Sequence, residues 1–90
     1  MILELHLTEA RSLKDKRHYV KGLRDRLRTN FNVSVAEIDD QDLWTRSTIA
    51  VAAVSGSRAY AEGLFQRVEE SASAFLGPFL VSATIQWLED

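Results

Sequence analysis

The stretch FNVSVAEIDDQDLWTRSTIAVAAV, residues 31–54, decides the fold. Val33 and Val35 alternate with Ser34 and Ala36, which makes Phe31 to Ile38 a strand with one face inward. Asp39-Asp40-Gln41-Asp42 is turn chemistry, since short carboxylate side chains bond their own backbone. From about Thr45 to Val54 both faces read apolar or small, as expected of a central strand. Two strands joined by so short a turn form an antiparallel hairpin. Whatever lies on either side must connect to it.

Both sides read as one strand plus one helix. Upstream, Leu3, Leu5 and Leu7 alternate with Ile2, Glu4 and His6, a strand over Met1 to Leu7. Thr8 to Arg11 connects, Ser12 is an N-cap, and Asp15 stands in capping-box position. Leu13, Val20, Leu23 and Leu27 then share a helix face to about Thr29, with Asn30 as the stop. Downstream, Ser55-Gly56-Ser57 breaks the strand and Ser57 caps a helix from about Arg58 to Leu76. Its apolar arc holds Ala61, Leu64, Phe65, Val68, Ala72 and Phe75. Gly77-Pro78 ends it, and Phe79 to Leu88 reads as a last strand. There Phe79, Val81, Ala83, Ile85 and Trp87 alternate with Leu80, Ser82, Thr84, Gln86 and Leu88. The order β-α-β-β-α-β predicts a ferredoxin-like α+β sandwich. Its antiparallel sheet has strand order 4-1-3-2, and both right-handed crossovers put the helices on one face.

Ninety residues make one domain, with no room for a second core. The chain is 46% apolar and 27% charged, the balance of a soluble globular protein. No apolar run reaches the roughly 20 residues of a membrane span. The N-terminus lacks the basic start of a secretory signal. Without cysteine there are no disulfides, thiolate nucleophiles or Cys-based metal sites, which fits the cytoplasm.

Several runs carry a family resemblance. Ser12-Leu13-Lys14-Asp15-Lys16-Arg17 opens the first helix, and Phe31 to Glu37 forms the second strand. Gln41-Asp42-Leu43-Trp44 closes the hairpin, and Val54-Ser55 ends the third strand. Together they resemble the YlxP-like family, small bacterial proteins of unknown function. The likeness covers nearly the whole chain and is only general after Phe75. It implies the same ferredoxin-like fold and no catalytic residues. Genes of that family often lie beside translation-initiation and ribosome-maturation genes, so the resemblance points to RNA or ribosomal subunits as partners.

Charge is strongly separated. Residues 11–28 hold eight basic and two acidic residues, a local charge of +6, while the rest of the chain has three basic and eleven acidic, −8. On a helical wheel Lys14, Arg17, Lys21, Arg24 and Arg28 fall within about 80°, a ladder roughly 21 Å long. Like charges at this spacing cost about 0.2–0.5 kcal/mol per contact, partly relieved by Asp25 near Lys21 and Arg28. Such a row suits RNA phosphate. It equally fits a solvated face packing its stems on the sheet rim. Lys16 lies inside the apolar arc, where it is expected to snorkel past the sheet edge.

Other constellations are weaker. Glu37, Asp39, Asp40 and Asp42 lack the spacing and glycine of an EF-hand, so a turn is the better account; pairing with basic residues of this chain or of another subunit stays open. His6 shares a face with Glu4, half of a general-base arrangement, but no nucleophile or metal triad accompanies it. An ordinary polar sheet residue is the simpler reading, and His18 reads as solvated. The sheet's other face has no RRM-like aromatic platform. Nor is there an acylphosphatase-like glycine loop after the first strand, or a C-x-x-C metal motif. Trp44 either covers the core edge or anchors a partner. No enzyme activity, cofactor or metal is expected. Two functions remain: a non-catalytic RNA- or ribosome-associated binding protein, and a homo-oligomeric interaction module without nucleic-acid binding. The second draws on a helix-free face holding Ile2, Ala50, Ala52, Leu80 and Leu88, poor to leave bare.

Overall fold

The structure, a computed structural model, describes residues 1–88. Its elements are β1 (Ile2–His6), α1 (Leu13–Asn30), β2 (Ser34–Asp39), β3 (Arg46–Ala52), α2 (Arg58–Leu76), a 3-10 turn (Gly77–Phe79) and β4 (Leu80–Thr84). The sheet runs β2-β3-β1-β4 with every neighbour antiparallel. Both helices pack on one face, against each other, α1 over β2 and α2 over β4. This is the ferredoxin-like sandwich.

The core forms where sheet alternation meets helix periodicity. Leu3, Leu5 and Leu7 point to the helices, and Ile49 and Val51 lie beside them on β3. Leu23 and Leu27 of α1 and Leu64, Phe65, Val68, Ala72 and Leu76 of α2 close the other side. Ser12 caps α1 by accepting from the Asp15 N–H at 3.1 Å, and Asp15 accepts from the Arg11 N–H at 2.9 Å. Ser57 caps α2 through the Tyr60 N–H. Gly77 stands at φ +56°, a conformation that suits a residue without Cβ, and it turns the chain out of α2.

The helices approach closely at Gly22, where a Cβ would stand 2.7 Å from Phe75 Cζ. Phe75 therefore reaches across to α1 and stays 39% exposed, rather than entering the core with the rest of its arc. Arg26 lies over its ring and donates to Ser71 Oγ at 2.9 Å, stapling the two helices.

The hydrophobic pattern misleads in the last strand. A bulge between Glu4 and Leu5 of the β1–β4 ladder places Leu80 opposite Leu5, packed on the core, and leaves Val81 54% exposed. Leu80 thus leaves the helix-free face to which simple alternation assigns it. The ladder stops at Thr84 opposite Ile2, and Ile85–Leu88 continue as irregular chain, with Ile85 and Trp87 still packed on the core. Leu88 is exposed beyond the sheet instead of lying on it. Phe31–Val33 likewise precede β2, because the Phe31 N–H still bonds Leu27 O and closes α1. The cleft at this end of the sheet, about 600 Å³, is bordered by Met1, Val51, Phe65 and Trp87, with the Arg58 guanidinium 4.5 Å above the Trp87 ring.

A candidate nucleic-acid interface on the first helix

α1 places all five cations on one flank. Gly22 and Arg26, which meet α2, mark the opposite flank, so the row faces outward on the β2 side of the sheet. Lys14, Arg17, Lys21 and Arg28 are exposed. Arg24 is half-buried, and its Nε is shielded from solvent without a hydrogen-bond partner. Asp25 draws on two members of the row. It accepts from Lys21 Nζ at 3.2 Å and lies 3.6 Å from Arg24 Nε. The hydrogen bond from Lys21, with the two neighbouring positive charges, holds the Asp25 carboxyl below its usual range. Its second partner is Arg24, not Arg28 as the wheel suggests. Lys14, Arg17 and Arg28 make no ion pair among the described residues. They are spaced along the helix with their charge uncompensated, an arrangement that a polyanion can neutralise.

Lys16 departs from expectation. It is 1% exposed, so it does not snorkel to water. Its ammonium donates to Asp40 O at 2.5 Å, Gln41 O at 3.1 Å and Arg46 O at 3.3 Å, and pairs with Glu37 Oε2 at 2.9 Å. Ser47, also buried, donates to the same carboxylate oxygen at 2.6 Å. The reason is register. Glu37 pairs with Ile49 and so points to the helix side, and a bulge between Glu37 and Asp39 then curls the hairpin tip over the start of α1. The carbonyls of that turn converge on Lys16 and supply the acceptors that water would otherwise provide. The signal was available in the sequence. Glu37 shares the inward phase of Val33 and Val35, and Lys16 shares the inward face of α1, two opposite charges aimed at one core.

The hairpin acids behave as turn residues. Asp40 adopts φ +61°, Asp39 Oδ1 accepts its N–H at 2.8 Å, and Asp40 O accepts from the Leu43 N–H. Among the described residues Glu37 alone of the four has a basic partner, Lys16 of the same chain. Among the described residues no group of three or more His, Cys, Asp or Glu is arranged to hold a metal ion. Glu4 and His6 form no linked pair. Glu4 accepts from Thr48 Oγ1 at 3.0 Å, while His6 is exposed opposite Arg46. Trp44 is 51% exposed and does not cover the core edge. No helix among the described residues is long and apolar enough to cross a membrane.

Comparison with known proteins then places the chain. Residues 1–84 match the family described as "Protein of unknown function (DUF503)". The chain belongs to that family. It is also 45% identical over 65 residues to the Uncharacterized protein YlxP of Bacillus subtilis (strain 168), covering 72% of this chain and 71% of that protein. The matched span of the DUF503 family contains α1 with its cation row, the Lys16 cluster and the whole hairpin. Membership thus confirms the YlxP-like resemblance of the opening motifs and brings with it no activity.

Proposed function

We propose that this DUF503 member is a non-catalytic RNA-binding protein of the bacterial cytoplasm, serving translation or ribosome maturation and touching phosphate through α1. One observation carries the reading: a row of five cations, four of them exposed and three unpaired among the described residues, on the flank of α1 turned away from α2. Contacts of this kind fix position on a nucleic acid without reading its sequence, so diverse RNAs are expected to bind alike.

The test is affinity for single-stranded RNA across salt concentrations. Five phosphate contacts give a slope of log K against log salt up to about −3.5, roughly −0.7 for each contact. Removing one cation, as in Arg17→Gln or Arg28→Gln, flattens the slope by about 0.7 and weakens all RNAs similarly. For Arg17→Gln the melting temperature holds or rises slightly, because like-charge contacts are relieved, whereas Arg28→Gln also loses a cation from the last turn of α1. Unchanged affinity in these variants, or no binding by the parent at low salt, would falsify the reading.

A second reading, a homo-oligomeric interaction module, is favoured by the sheet itself. Its helix-free face carries Ile2, Ala36, Ala50 and Ala52, and β2 and β4 are open edges. Sedimentation as a dimer or larger at tens of micromolar, without RNA binding, selects it.

A further inference from the structure

The β2–β3 hairpin tip combines three features that the RNA reading does not use. Ile38, Leu43 and Trp44 are 53%, 49% and 51% exposed and sit within seven residues of one another. Asp39, Asp40 and Asp42 stand among them, around a shallow hollow of about 300 Å³. Finally, the tip is held from beneath: Lys16 binds carbonyls on both sides of the turn and so ties the hairpin to α1.

We propose that this tip is a docking surface for a cationic amphipathic segment of another protein. The carboxylates repel nucleic acid, so the tip and the α1 row address different partners. The exposed apolar side chains call for an apolar counterpart, and the three aspartates interspersed with them call for Lys or Arg beside it. A second copy of this chain meets only half of that demand. Its cations lie on α1, whose apolar side is already buried in its own core. Trp44 borders the hollow as the next residue along the chain, and tryptophan is a residue type that often dominates binding energy. The Lys16 clamp orders the tip beforehand, which lowers the entropy lost on association.

The probes are two synthetic 18-residue helices, one built of leucine and lysine, the other of leucine and glutamate. The full chain carries Trp87→Phe, leaving Trp44 as the fluorescent reporter. The lysine helix is expected to bind and shift Trp44 emission to the blue, whereas the glutamate helix is not. Labelled lysine helix should lose roughly 30-fold or more in affinity with Trp44→Ala. With Asp39→Asn and Asp42→Asn together, affinity falls and its salt dependence flattens. Circular dichroism and melting show that each variant is folded, and exposed Trp44 should tolerate truncation. Equal binding of both helices, undiminished binding by Trp44→Ala, or a homodimer that buries Trp44 would each overturn the proposal. None of these measurements contains RNA, so their failure leaves the α1 reading untouched.

Discussion

Replacing Lys16 by Met keeps the stem's volume and removes only the ammonium. What remains is a carboxylate and three carbonyls that have lost their shared donor. Removing one partner of a buried ion pair costs about 3–5 kcal/mol. The Glu37 side chain is 19% exposed and keeps the Ser47 hydroxyl, so its charge is partly solvated. That places the expected loss at the low end, about 3 kcal/mol. In a domain of this size the melting temperature should fall by roughly 12–24 °C. Urea denaturation measures the free energy, and amide exchange locates it. The hairpin should exchange faster than the core strands, because its turn carbonyls lose their anchor. Adding Glu37→Gln removes the stranded charge, so the double variant should lie at least about 1 kcal/mol above the sum of the singles. A Lys16→Met protein within about 0.5 kcal/mol of the parent, or strict additivity in the cycle, would refute the clamp.

The bulge in the last strand makes Leu80→Thr cost about 1–2 kcal/mol and Val81→Thr less than about 0.5, measured by urea unfolding; the reverse order would restore simple alternation. Gly22→Ala gains up to about 1 kcal/mol of helix propensity but drives a Cβ to 2.7 Å from Phe75 Cζ. It should therefore stabilise clearly only in a Phe75→Ala background, and equal effects in both backgrounds would show that the contact is absent. Asp25 has a depressed folded-state pKa, so its stabilising effect is present above the unfolded value of 3.8 and is lost as pH falls through the folded one. Asp25→Asn should thus be less stable than the parent near neutrality and converge with it in acid, seen in melting curves across pH. The same substitution should strengthen RNA binding, because Lys21 and Arg24 are released; weaker binding would contradict the proposed role of the row.

The succession of strands and helices and both N-caps were legible along the chain because they rest on local quantities, and the handedness of crossovers then fixed the strand order and the helix-bearing face. Those local quantities are a two-residue period, a 3.6-residue period, and side chains that bond within three residues of themselves. The cation row was legible for the same reason, since one helix positions all five residues. The partners of each charge were not, although the inward phase of Lys16 and of Glu37 could be read from the chain. Lys16 is buried because a hairpin 24 residues away folds over it, and Asp25 pairs with Arg24 rather than Arg28. The inward Leu80 and outward Val81 follow from a bulge, which depends on pairing with β1 across the sheet rather than on any local pattern. Trp44 read in sequence as core cover, the more frequent case, or as an anchor, and the folded chain leaves it half in solvent. Periodicity tells a residue which way to face on its own element. What it meets there is decided by a second element, whose distance and register exist only once the chain has closed on itself.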